Sequence, residues 1–216
     1  MFDIFKNQMK EANSKFSIFI KDNYPHWIKD YKNQPILSNN IFQKKIYPFL
    51  KDNQPCLLLL IDNLRLDQWK VISPLVQKYF DIVEDTCYFS ILPSATQYSR
   101  NSFFSGLTPK QIQDQLPQWW KKDDEDGGKN LYESNFLEFQ LKKFNYKLKY
   151  SYNKITSISE GQKLINNINK FKSENLSVIV YNFVDMMSHA KTEMEIIKEL
   201  APDNKAYRSL TLSWFK

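Results

Sequence analysis

The stretch Pro55-Cys56-Leu57-Leu58-Leu59-Leu60-Ile61-Asp62 is six apolar residues between turn formers (Asp52, Asn53, Pro55) and a carboxylate. A run that short predicts a strand buried on both faces, the central strand of a parallel sheet. Functional groups of open α/β sheets gather outside the carboxyl ends of such strands, which is where Asp62 falls. A second run, Leu176 to Phe183, repeats the design, with Asp185 at its end and His189 four residues on. Two strand-end acids from distant parts of one chain are the first sign of a built site.

Outward from these strands the chain alternates. Helices are expected over 65–79 (despite Pro74), 132–144 and 159–171, and short strands over 88–92 and 146–150. Two more helices are expected over 192–200 and 204–215. Ser94, Ala95 and Thr96 stand where a helix starts, and Thr108-Pro109 pairs an N-cap with proline at the first helical position. Residues 123–128 read as a solvated loop. This alternation predicts a doubly wound, mostly parallel α/β fold over 51–216. Residues 1–50 differ: Phe2, Phe5, Met9, Phe16, Phe19 and Ile20 recur at helical spacing up to Tyr24-Pro25. Trp27, Ile28, Tyr31, Ile41, Phe42, Ile46 and Phe49 are available to pack that helical segment on the main domain. One helix with a few turns buries little of its own surface, so a longer protein, with residues before Met1, is expected.

Composition narrows the class. With 216 residues, 42% apolar and 15% aromatic, the chain has the material for one sizeable core. Four glycines are too few for a glycine-rich phosphate loop, and the net charge of +6 suits an anionic ligand without demanding a nucleic-acid coat. Cys56 and Cys87 read as buried thiols of a reducing compartment. No apolar run approaches the ~20 residues that cross a bilayer, so a cytoplasmic, membrane-free protein is expected.

Asp62, Thr96, Asp185 and His189 converge on the carboxyl edge of the sheet. Carboxylate oxygen and neutral imidazole suit zinc, and a threonine at a helix start has its hydroxyl near the positive end of the dipole, where phosphate binds. Taken singly, each has a plainer explanation: a helix cap for Asp62 or Thr96, a solvated i,i+4 pair for Asp185 and His189. Lys142, Lys143, Lys147 and Lys149 alternate with aromatics, as a stacking surface or, more simply, a lysine-flanked edge strand. His26 reads as a surface or packing residue, and Trp119-Trp120 as core or rim residues, with a partner patch as the alternative.

Taken together, in their order, the stretches 60–69, 91–101 and 185–193, with Tyr207 to Phe215, resemble the PglZ domain of the alkaline phosphatase superfamily, as found in PorX-type response regulators. The resemblance implies a two-zinc phosphodiesterase with Thr96 as nucleophile and ligand to one metal beside Asp62. Asp185 and His189 hold the other metal, ~4 Å away. It also implies phosphodiester substrates such as short linear or cyclic oligonucleotides. Residues 1–50 match the linker that follows a receiver domain, and the regulators work with a sensor kinase and a sigma factor in type IX secretion. A homodimer is a further expectation.

The chain departs from the pattern in one respect. Superfamily members complete the metals with a further Asp-His pair and a later His, whereas the only histidine here besides His189 is His26. Each metal site is therefore half built, and the C-terminal remainder of the domain is expected beyond Lys216. The rival expectation is a regulatory interaction module that kept the fold and lost catalysis. A haloacid-dehalogenase-type phosphatase is excluded, because it needs an acid where Leu64 stands.

Overall fold

The computed structural model describes residues 2–51, 54–121, 129–144, 148–193, 195, 199 and 201–216. Its sheet has three parallel strands, β1 (Cys56–Ile61), β2 (Tyr150–Ile155) and β3 (Leu176–Tyr181), in the order β1-β3-β2. Leu58 pairs with Val178, and Tyr152 pairs with Val178 from the other side. The chain is thus α/β with a parallel sheet, preceded by a helical segment, as its alternation predicts.

The centre of the sheet is β3, not β1. Leu176 to Val180 are all buried, whereas Leu57 and Leu59 on β1 are 52% and 44% exposed. Six apolar residues in a row therefore do not mark burial on both faces here. The even-numbered residues Cys56, Leu58 and Leu60 face the core, and Leu59 and Ile61 face a partly open groove shared with Trp69, Val76 and Phe215. The strand expected over 146–150 is displaced to Tyr150–Ile155, because Tyr150 is the residue that registers with Leu176; residues 145–147 lie outside the described residues. The strand expected over 88–92 reduces to a single parallel bridge between Leu37 and Phe89.

On the core face pack α4 (Thr96–Ser105) and α6 (Glu133–Lys143), which bring Phe103, Phe104, Phe136 and Leu137 against Val178 and Val180. Phe42 and Leu50, from the segment before the sheet, are buried in the same cluster, and Phe42 meets Phe103 edge to face. Phe49 and Tyr31, expected to pack there as well, are mostly exposed. The first helix, α1 (Phe2–Lys29), runs through Pro25 rather than ending there. Contacts on both sides of the proline outweigh its lost hydrogen bond: Tyr24 Oη accepts from Leu92 N at 2.6 Å, and the Trp27 ring lies 4.7 Å from Phe89.

Thr108 caps α5 (Pro109–Gln115) with a capping box closed by Gln111, as the Thr-Pro pair predicts. Between α4 and α5, Gly106 takes φ +67°, and a Cβ there would stand 2.4 Å from Gln140 Oε1. The Gln140 side chain donates to the carbonyls of Phe103 and Phe104, at 3.0 and 2.9 Å, so it is not free to retreat. Gly106→Ala is expected to destabilise the fold by about 1–3 kcal/mol, measured by urea denaturation.

The opposite side of the sheet carries α3 (Leu66–Val76) and α9 (Asn204–Phe215). Gln68 Nε2 donates to Thr211 Oγ1 at 2.9 Å, and Asp67 accepts from Arg65 and Arg208 at 2.8 and 3.1 Å. Hydrogen bonds from the Arg65 side chain are the main reason the Asp67 carboxyl is held down at about 2. Because that pKa is depressed in the folded state, the stabilisation is present above the ordinary carboxylate value and lost as pH falls through about 2. The melting-temperature gap between wild type and Asp67→Asn is therefore expected above pH 4 and should close towards pH 2.

Further α-helices among the described residues are α2 (Tyr47–Lys51), α7 (Ile158–Asn166) and α8 (Phe183–Glu193), α7 being followed by a 3-10 stretch, Ile168–Ser173. Most of the helix expected over 192–200 and the whole loop at 123–128 lie outside the described residues. Neither cysteine is buried as expected: Cys87 is exposed and Cys56 half-buried, both as free thiols.

Candidate functional site

Strand parity builds the site. Asp62 and Asn182 follow β1 and β3 directly, in the even-numbered alternation that faces α4, and Asp62 N donates to Tyr181 O at 3.0 Å. On β2 the even-numbered Tyr152 and Lys154 face the same side. Arg100, four residues into α4, fills the space between them. Its Nη1 donates to Asp62 Oδ2 at 2.9 Å and to Asn182 Oδ1 at 3.1 Å, and its Nη2 to Glu133 Oε2 at the start of α6. Tyr152 Oη donates to that same Glu133 oxygen at 2.7 Å, and Lys154 Nζ lies 4.0 Å from it.

The arginine and glutamate side chains are 5% and 1% exposed. Burial works against the Arg100 charge, but Glu133 and Asp62 outweigh it and hold the guanidinium cationic. Burial and then the Glu133 charge push the Tyr152 phenol up, so it stays a donor.

Asp185 is not at a strand end. It sits in the first turn of α8, with His189 one turn further on, their Oδ1 and Nε2 atoms 3.7 Å apart. Burial, and next the neighbouring Asp62 charge, raise the Asp185 carboxyl, while His189, Arg100 and a hydrogen bond from Asn63 pull it back. That asparagine takes φ +57° in the turn after β1, a conformation asparagine tolerates, and so reaches across to α8. Asn63, next to Asp62 in the chain, thus ties the end of β1 to Asp185.

Thr96 is the first residue of α4, and its N-cap, Ala95, has no side-chain acceptor for the helix's leading N–H groups. It is half-buried and lies one turn from Arg100 on the same helix face. No hydrogen bond ties it to Asp62, Asp185 or His189 among the described residues. A cleft of about 250 Å³ opens beside Asp62, lined also by Asn63, Arg65, Tyr88, Ser99 and Arg100.

Two carboxylates, with an imidazole beside one of them, are donors of the type a divalent cation takes. They fit such an ion in kind and fall short in number, since no group of three His, Cys, Asp or Glu poised to hold a metal forms among the described residues. Of the residues singled out in the sequence, the structure brings Asp62, Asp185 and His189 into one neighbourhood and places Thr96 at the head of α4, with no hydrogen bond to them among the described residues. Arg100, Glu133, Asn182, Tyr152 and Asn63, which surround Asp62 and Asp185, are not singled out by the sequence. The available signal was the Thr96–Arg100 spacing of one helical turn.

A three-stranded parallel sheet flanked by helices and preceded by a helical segment is an α/β architecture consistent with the alkaline-phosphatase-like class. A family model described as the BREX system PglZ alkaline phosphatase-like domain matches residues 41–212, and the chain belongs to that family. No curated protein matches it. Among the described residues, no helix is long and apolar enough to cross a membrane.

Proposed function

We propose that the chain carries the substrate-facing half of a metal-assisted phosphodiester hydrolase. The family membership supports a phosphoesterase-type hydrolase. The observation that carries the finer reading is the convergence of Asp62 and Asp185 at the carboxyl end of the sheet, with Thr96 heading the helix that Arg100 docks on Asp62. In this reading residues 51–216 are the first part of the PglZ domain and residues 1–50 the helical segment leading into it.

The residues divide the chemistry as follows. The Thr96 hydroxyl attacks phosphorus, forming the Oγ–P bond as the bond to the leaving alcohol breaks; its proton passes to the departing oxygen or to solvent. Water then cleaves the phospho-threonine and restores the hydroxyl. The N–H groups that lead α4 face the phosphoryl oxygens and favour their negative charge. Asp62, Asp185, His189 and the Thr96 oxygen are the groups that would hold metal, two zinc ions by resemblance. When bound, such ions lower the pKa of hydroxyl groups and neutralise charge at phosphorus.

We further propose short oligonucleotides or cyclic nucleotides as substrates. A cytoplasmic setting in a two-component regulator, with a sensor kinase and a sigma factor as partners, and a homodimer complete the reading. These rest on the likeness of 1–50 and of the site motifs to PorX-type proteins. Bis(4-nitrophenyl) phosphate is expected to be cleaved by the zinc-loaded chain and spared after dialysis against EDTA.

A second reading, a non-catalytic interaction module, is favoured by one observation: Asp62 is already neutralised by Arg100. Cleavage that is absent with zinc and with manganese supports it over the first.

A further inference from the structure

The hydrolase reading gives no work to the first helix. Residues 3–19 of α1 are exposed along their whole length, yet their apolar side chains are not scattered. Phe5, Met9, Ala12, Phe16 and Phe19 follow one another at intervals of four, three, four and three residues. That alternation averages about 3.5 residues, the spacing of the a and d positions of a coiled coil, and it sets all five on one stripe. Phe5, Met9, Phe16 and Phe19 are each between 42% and 58% exposed. An apolar stripe of this extent on a protein surface marks an interface, and its period is one that another helix fills.

The C-terminal end of the stripe is partly covered by the chain itself. The Phe89 ring lies 6.5 Å from Phe16, 6.2 Å from Phe19 and 4.7 Å from Trp27. Beside it Phe16, Ile20, Tyr24, Phe89 and Leu92 line a mostly apolar groove of about 490 Å³ that runs along α1. Phe5 and Met9 stand further out on the same helix. The molecule therefore carries both halves of one interface: an apolar helix end, and an apolar groove at the other end of that helix.

We infer that α1 pairs antiparallel with α1 of a second copy of this chain, each N-terminal half lying along the other's groove. A two-fold axis between Lys10 and Glu11 sets Phe5 against the partner's Phe16. The same axis sets Met9 against the partner's Ala12, a long side chain against a small one. At the flanks Lys6 faces the partner's Asn13 and Lys15 faces the partner's Gln8, so no like charges meet. A parallel pair would bring the two α/β bodies together at the same end of the helices and leave both grooves empty. The inference gives the proposed homodimer its surface and does not depend on how Thr96 or Asp62 acts.

The test is sedimentation equilibrium of the purified chain over a concentration series. Wild type is expected to dimerise. Met9→Glu and Ala12→Lys are each expected to weaken the dimer by about thirtyfold or more, because each puts a charge into the seam. Ile18→Glu, on the same helix but off the stripe, is expected to leave it unchanged. Both seam positions are exposed in a single copy, and Glu and Lys are good helix formers, so the fold of one copy is not at stake. An equal mixture of Met9→Glu and Ala12→Lys is expected to recover the dimer, because the antiparallel register sets the new carboxylate against the new ammonium. A monomeric wild type overturns the inference, as does an equal loss with Ile18→Glu or a mixture that stays dissociated. A dimer that survives both seam variants also overturns it, while leaving the homodimer itself on another surface.

Discussion

Thr96→Ala is expected to lower cleavage of a phosphodiester by on the order of a thousandfold or more, with the fold intact. Thr96 is the first residue of α4 but not its cap, since Ala95 holds that position. Alanine is also the better helix former. The hydroxyl is half-buried and holds no structural hydrogen bond among the described residues, so its removal touches chemistry and little else. The pattern to look for is a fall in kcat with unchanged circular dichroism and melting temperature. Zinc should still bind, through Asp62, Asp185 and His189, at reduced affinity. A Thr96→Ala variant that keeps wild-type kcat removes the nucleophile from the scheme and leaves the acids without a partner.

The largest stability effect is expected at Phe136. Its side chain is fully buried on α6, and the Trp119 ring meets it edge to face with centroids 5.8 Å apart. It sits in the cluster that joins α4, α6 and β3. Phe136→Ala deletes a ring that nothing nearby can replace, because Phe104 and Leu137 are themselves fixed by full burial. A loss of about 3–5 kcal/mol is expected from transfer and cavity contributions together. Equilibrium urea denaturation gives the value, and a loss below about 1 kcal/mol contradicts the core described above.

Most of this architecture is written in local patterns. The two apolar runs become parallel neighbours, and Thr108-Pro109 becomes a capped helix start because its capping chemistry is local. Thr96 does open a helix, though without local capping chemistry, since Ala95 holds the N-cap. What is not legible depends on contacts between distant segments. Leu57 and Leu59 are as apolar as Leu58 and Leu60, so no pattern within the run reveals that β1 has one open face. The position of β2 is fixed by register with Leu176, not by the apolar content of 146–150. Pro25 breaks a helix in isolation, yet here it is held by Tyr24 and Trp27 against the Phe89 segment. In the candidate site, Asp62 and Thr96 are legible as residue types at turning points of the chain, whereas Asp185 and His189 lie within α8. Arg100 and Glu133 are not legible, because a buried charge is intelligible only when its partner is seen, and theirs lie 38 and 33 residues away.

The central claim is that a phosphodiester is attacked by the hydroxyl of Thr96 at the carboxyl end of this sheet. The most direct measurement is to mix the zinc-loaded chain with bis(4-nitrophenyl) phosphate, quench in acid within the first turnovers, and map the peptides by mass spectrometry. The account predicts a phosphoryl adduct on the peptide that contains Thr96, located on that residue and absent from Thr96→Ala. Sustained hydrolysis with no adduct there, or an adduct on another residue, would contradict it.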